Sequence, residues 1–315
     1  MSIYGRYEAL SPIYKGGLTN HLPMMLIALK ESNVNEERII ELCNKYRDER
    51  AIFDLSNQAS PVGDFEQEYI NRTSHYLSEI NHKGKDIVVG MFLNERVDAI
   101  SSALFHGVIR LAYALKSNED IQLAQALAYF ELVSVDVHLE GYSISVKEFK
   151  QKVESLRENM EDYNYQFKSA RTMQKFSELT ELDVIKSNLV QIDFNTINRE
   201  VILDVLLTRY LESNDFYVLH LITGFHALLE LEEFYIYFRE VLQQFVLVSQ
   251  VFMMLNPIKN DYHENSEIRF SEIMKHIGSL EDAHKIKLLY SLSELYKLMY
   301  NEKIIYIGKQ IIEKE

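Results

Sequence analysis

Apolar residues recur at three- and four-residue intervals along most of the chain, the spacing that gives an α-helix one face for a core. The pattern predicts helices over 21–30, 35–47, 65–80, 87–93 and 96–115. Further helices are predicted from 118 to about 138, over 145–160, around His220, over 267–277 and over 281–300. Asn118, followed by Glu119 and Asp120, reads as an N-cap with acidic residues at the positive helix end. Ser145-Val-Lys-Glu148 reads as a capping box, and Ser213-Asn-Asp215 as the cap of the His220 helix. Residues 161–215 read as shorter helices with polar joints at 162–166 and 187–195. Irregular stretches are expected at 1–20, which holds Gly5, Pro12, Gly16 and Gly17, at 52–64, and at 256–265 around Pro257.

Only 4 prolines and 11 glycines punctuate the 315 residues, and no low-complexity linker divides them. The expected fold is all-α: a single large multi-helix domain over 1–315 with a buried, histidine-lined polar site. The net charge of −14 argues against a nucleic-acid partner, because an acidic surface repels phosphates. No basic run suggests a membrane surface, and the most apolar stretches, 217–231 and 241–255, are too short to span a bilayer. The first residues, Met1-Ser-Ile-Tyr4, carry no signal-like apolar region, and the lone Cys43 fits a reducing compartment. A soluble, cytoplasmic protein is the expectation.

Four histidines stand out: His21, His106, His220 and His284 each sit near the start of an apolar helical stretch. Three share a pattern, His106-Gly-Val-Ile, His220-Leu-Ile-Thr and His284-Lys-Ile-Lys, which hints at internal duplication. A histidine on an apolar face needs a hydrogen-bond partner or a metal, because burying a polar group unpaired costs roughly 1–3 kcal/mol. A core histidine bonded to a carbonyl is the ordinary outcome for any one of them. Four on separate helices can converge on one ion, and imidazole suits Zn, Fe, Cu and Ni alike. On an ideal helix His106, Ile109, Arg110 and Tyr113 line one stripe, and His220, Thr223 and Ala227 another. His284, Lys287 and Leu288 line a third, whereas His226 lies about 120° around its helix from His220. A rival di-iron arrangement would use Glu79-Ile-Asn-His82 and Glu281-Asp-Ala-His284, but the first runs into a helix end. The P-loop, Gly-x-Gly-x-x-Gly, Gly-x-Ser-x-Gly, His-Glu-x-x-His and paired Cys-x-x-Cys patterns are absent. His75, His82, His138, His263 and His276 read as surface residues.

The same segments carry a resemblance. Asn20-His21-Leu-Pro-Met24-Met-Leu-Ile-Ala-Leu resembles the Asn-His-x-x-His-x-Leu-x-Ala-Leu stretch of the questin oxidase-like family. His106-Gly-Val-Ile-Arg110-Leu-Ala-Tyr113-Ala-Leu is similar to its His-x-x-Ile-Arg-x-x-Tyr-Ala-Leu segment. His220-Leu-Ile-Thr223-Gly-Phe-His226-Ala-Leu resembles its His-x-x-Thr-x-x-His-Ala-Leu helix, and Asp282-Ala-His284-Lys-Ile-Lys287 its Asp-x-His-x-x-Lys helix. The matches keep their order from residue 20 to about 290. Met24 stands where the family has its second histidine, and the N-terminal region looks short for it.

The resemblance implies an all-helical oxygenase that cleaves a ring C–C bond of an aromatic ketone or quinone with O₂, in a Baeyer–Villiger-like or dioxygenase outcome. It also implies mononuclear non-haem iron held by His21, His106, His220 and His284, with Lys287 carrying a CO₂-derived carbamate. The implied partners are a small apolar aromatic substrate and O₂. Arg110, Tyr113, Thr223 and His226 are the candidates for catalytic or substrate-orienting roles, Arg110 by pairing with a phenolate or oxyanion. Alternatives are a catalytically inactive binding or scaffold protein of the same fold and a zinc-dependent hydrolase on the same ligands.

Overall fold

Side-chain caps start the helices that matter most. Asn35, Asp215 and Asp282 each accept hydrogen bonds from backbone N–H groups two or three residues on, satisfying donors that a helix start leaves free. The computed structural model describes residues 2–56, 63–163, 165–256 and 268–314. Within them the chain forms α1 (Leu22–Glu31), α2 (Glu36–Arg50), α3 (Asp64–Lys83), α4 (Lys85–Asn94), α5 (His106–Ser117), α6 (Asp120–Val133) and α7 (Val146–Tyr163). It continues through α8 (Thr172–Thr180), α9 (Asp183–Lys186), α10 (Arg199–Ser213), α11 (Phe216–Glu230), α12 (Phe238–Met254), α13 (Phe270–Met274), α14 (Ala283–Leu298) and α15 (Glu302–Glu313). Two small sheets complete it: β1 (Ile13–Tyr14) pairs antiparallel with β2 (Leu18–Thr19), and β3 (Tyr142–Ile144) pairs parallel with β4 (Val190–Ile192).

Four helices close a ring at the centre. α1 packs on α5, α5 on α11, α11 on α14, and α14 back on α1. α6 covers the outer side of α5 and α3 packs on α6, while α12 covers α11. Burial is nearly complete along these segments: every residue from Val218 to Leu228 and from His106 to Ala114 is buried. Such all-round burial is what a central helix shows. The all-α, single-domain expectation is met, and no described helix is long and apolar enough to cross a membrane.

Several boundaries differ from the sequence pattern. The helix predicted over 96–115 is broken: a 3-10 turn at Val97–Ala99 and a left-handed turn precede α5, which starts only at His106. Asn118 caps the end of α5 in the left-handed conformation (φ 54°), and α6 starts after Glu119 with no side-chain cap. A short polar side chain is tolerated there, so the same residue type serves either helix end. α6 ends at Val133 rather than near 138. The capping box holds in part: the Glu148 carboxylate accepts from both the N–H and the hydroxyl of Ser145. The polar joint at 187–195 contains β4, whose backbone is satisfied by glutamines of α12. Val190 N–H donates to Gln250 Oε1 at 3.1 Å, the Gln250 amide donates to Val190 O at 2.8 Å, and Gln243 donates to Ile192 O. Residues 257–265 of the predicted late loop, 57–62 of the earlier one, Asn164 in the 162–166 joint and His263 lie outside the described residues.

Candidate metal centre

His21 sits at the N-cap of α1, where its backbone is fixed from three sides. Asn20 Oδ1 accepts from Leu22 N, Asn20 Nδ2 donates to Ser11 O, and His21 N–H donates to the Tyr46 hydroxyl, at 2.9, 2.9 and 3.1 Å. His106 is the first residue of α5. Before it, Ala103, Leu104 and Phe105 all have positive φ (48°, 57° and 64°), a left-handed turn without a glycine. Each such residue costs roughly 1–2 kcal/mol, so surrounding contacts must hold the turn. Phe105 supplies them, fully buried with its ring 5.5 Å from those of Phe245 and Phe252. The turn brings the Ala103 carbonyl to 2.5 Å from His106 Nδ1.

Two glycines allow the close approach. A Cβ on Gly224 would lie 2.9–3.1 Å from atoms of Phe105, and one on Gly107 only 2.3 Å from the Phe130 ring. Both glycines lie near a candidate histidine, and together they let α5 seat against α11 and α6. His220, on α11, donates Nδ1–H to Phe216 O at 2.8 Å. His284 lies in the first turn of α14, after Asp282 has capped it, and Lys287 begins the second. Phe216, half exposed, packs its ring 4.5 Å from His220 and 5.2 Å from His284.

The four imidazoles meet. Ring centroids are 4.7 Å apart for His21–His106, 4.4 Å for His21–His284, 4.8 Å for His106–His220 and 5.3 Å for His220–His284. The Nε2 atoms of His21 and His106 are 2.7 Å apart. One ring nitrogen each of His21, His106 and His220 falls within 4.8 Å of the other two. With Nδ1–H of His106 and His220 committed to carbonyls, each Nε2 lone pair is left to face inward, the tautomer a metal ligand needs. His220 Nε2, His284 Nε2 and Lys287 Nζ are buried without a hydrogen-bond partner among the described residues.

Electrostatics sharpen the picture. Burial, and then the Lys287 charge, hold His21, His106 and His284 well below the ordinary imidazole value and push His220 down to about 3. All four rings therefore stay neutral near pH 7. The Lys287 charge is felt by every one of them. Burial pushes the Lys287 amine down from 10.5 to about 7, so a large fraction is the free base at neutral pH. The Asp282 carboxylate, 3.7 Å from His284 Nδ1, is occupied in capping α14.

The other expected residues go elsewhere. Thr223 bonds back to the carbonyls of Leu219 and His220 in its own helix. Tyr113 donates to Lys287 O at 3.3 Å and meets Ser291 Oγ at 3.2 Å; the same hydroxyl is 3.1 Å from His226 Nδ1. His226 Nε2 lies 3.5 Å from Glu230 Oε1, longer than an ordinary hydrogen bond. His226 thus faces away from His220, as the helical spacing predicts. Arg110 contacts Tyr69 and Tyr129. Met24 is fully buried in α1. Glu79 pairs with Lys83 and His82 is exposed, while Glu281 pairs with Lys45, so the di-iron motifs do not face one another as a pair. His75, His138 and His276 are exposed, as expected. Sequence reasoning missed Phe216, Tyr46 and the 103–105 turn, which no residue type announces.

No protein-family model matches the chain, and no curated protein is significantly similar to it.

Proposed function

We propose that this chain is a mononuclear non-haem iron oxygenase of the questin oxidase-like kind, acting on an aromatic ketone or quinone. One observation carries the reading: four imidazoles and one amine, from four helices, converge with Nε2 of His220, Nε2 of His284 and Nζ of Lys287 buried and unpartnered. Orphaned buried donors at one spot are what a metal would satisfy. His21, His106, His220 and His284 would hold it, and a carboxylated Lys287 would complete the set.

The carbamate follows from charge. Four neutral imidazoles leave a divalent cation uncompensated in a buried setting, which is strongly unfavourable. The Lys287 amine, free base in part at neutral pH, attacks the carbon of CO₂; an N–C bond forms, a C=O π pair moves to oxygen, and the amine loses a proton. The product brings one negative oxygen donor. A bound ferrous ion supplies the one-electron chemistry that lets O₂ react with an organic substrate. The chain's own part is to fix the imidazole tautomers through Ala103 O and Phe216 O, exclude water, and orient the substrate. Phe216, packed over His220 and His284 yet half exposed, is the natural lid residue. The single buried Cys43 fits a cytoplasmic setting.

Elemental analysis of protein purified without an affinity tag or chelator tests this. The expected result is about one iron per chain, lost in His106→Ala and in His284→Ala. A ¹³C resonance of a carbamate after growth with ¹³C-bicarbonate, absent in Lys287→Met, would establish the lysine. No stoichiometric metal even after anaerobic Fe(II) reconstitution would sink the oxygenase reading and leave a helical binding protein, for which the buried Met24 is the supporting feature. The His21–His106–His220 trio also fits a catalytic zinc set, so stoichiometric zinc would favour a hydrolase.

A further inference from the structure

Arg110 is 3% exposed, and among the described residues no carboxylate pairs with it. Buried charges are ordinarily paired. Here one guanidinium nitrogen donates to the Tyr69 hydroxyl at 3.0 Å, and the group lies 5.7 and 5.0 Å from the Tyr69 and Tyr129 rings. The other terminal nitrogen, Nη1, is buried and has no acceptor among the described residues. Tyr69 accepts from Arg110, so its own proton also needs an acceptor, and burial holds that hydroxyl in the protonated form. Tyr129 and Thr19 share one hydrogen bond of 2.7 Å, which leaves one proton of that pair unused. The local carboxylates do not answer. Glu66 accepts from Ser11, and Glu8 acts on Tyr69 only through its field, with its backbone carbonyl bonded to Gln125. The cluster is a surplus of donors around one fixed positive charge.

We infer that Arg110, with Tyr69, forms an oxyanion subsite that takes the carboxylate of an aromatic acid. A planar guanidinium binds a carboxylate through parallel N–H donors, and the flanking tyrosine rings suit an aromatic body. Arg110 follows His106 by one helical turn, so the two side chains leave α5 on one face about 5–6 Å apart at their Cβ atoms. Thr19 closes the other side, two residues before His21. An acid held by Arg110 would sit one helical turn along α5 from His106. The subsite itself stands on Arg110; its assignment to the oxygenase substrate rests on the proposed function above.

Isothermal titration with benzoate, acetate as the smaller probe, and neutral benzamide reads this directly. The purified protein is used both metal-loaded and chelator-treated, with metal content measured on each sample. Benzoate is expected to bind both forms alike, benzamide at least tenfold more weakly, and Arg110→Gln to lose at least tenfold in benzoate affinity with partial recovery in Arg110→Lys. Tyr69→Phe, which keeps the ring and the fold, should lose roughly threefold; it serves as the decisive variant if Arg110→Gln does not fold. Benzoate binding that survives Arg110→Gln, benzamide binding as tight as benzoate, or no binding of either anion overturns the inference. Binding lost on metal removal but kept in Arg110→Gln puts the anion on the metal and also overturns it. Arg110-dependent binding in a protein that holds no metal supports the subsite while sinking the oxygenase assignment.

Discussion

Lys287 concentrates the tension between stability and function in one side chain. A fully buried amine without a partner is unfavourable in the absence of metal. Lys287→Met, similar in length and apolar, should therefore raise the stability of the metal-free protein by about 1–3 kcal/mol while abolishing metal retention. Urea denaturation paired with elemental analysis checks both halves; a destabilised Lys287→Met would mean the amine has a structural partner. The imidazoles set the pH dependence. His220 titrates near 3 when folded and near 6.5 when not, so the unfolded chain alone takes up the proton between those values. Stability is present above about pH 6.5 and is lost as pH falls toward 3, and His21, His106 and His284 add in the same direction. Each ring contributes about 1.4 kcal/mol per pH unit within its window. Lys287 acts the same way higher up, with metal-free stability rising as pH climbs from 7 to 10.5. Denaturation midpoints of chelated protein at pH 8 and pH 5.5 measure it; equal values would mean that the rings are solvated.

At the scale of elements, the start of the His220 helix was legible because Asp215, in the predicted Ser213-Asn-Asp215 cap, caps by side-chain chemistry that sequence displays, and the Asp282 cap sets the start of α14 two residues after the predicted 281. The start of α5 was not. Ala103, Leu104 and Phe105 have no intrinsic taste for the left-handed region, and apolar spacing continues across them, so periodicity reads one helix over 96–115. The turn exists because Phe105 is locked among Phe245, Phe252 and Gly224, contacts that are distant in sequence. Ala103→Gly should relieve local strain and change stability by no more than about 1 kcal/mol, because the strain released offsets the extra freedom of the unfolded chain. Gly224→Ala forces a methyl onto the Phe105 ring and should destabilise by about 1–3 kcal/mol, with weakened metal retention as His106 and His220 separate. Thermal melts of both variants decide: a neutral Gly224→Ala would show that Phe105 does not hold the turn. β3 and β4 were hidden for a related reason, since helix glutamines complete the hydrogen bonding of β4 and three-residue strands leave little pattern.

On the scale of the whole molecule, the ring of α1, α5, α11 and α14 was foreseeable only as an all-α core. Histidine spacing named the residues, but their convergence depends on which helices pack together. A metal at that point ties four helices to one another, so loading should act on global stability. At a free metal concentration one hundred times the dissociation constant the gain is about 2.7 kcal/mol. Calorimetry of reconstituted against chelator-treated protein reads the shift; identical melting temperatures would show that the histidines hold no ion that favours the folded state.

The order of the four helices also sets a clock. His21 leaves the ribosome well before His284 and Lys287, which follow on the order of tens of seconds later at ordinary elongation rates. Until α14 docks, the nascent chain offers at most three imidazoles and no amine. The proposed ligand set is thus complete only once α14 has been made, and any chain that terminates before Ala283 is born without the means to complete it.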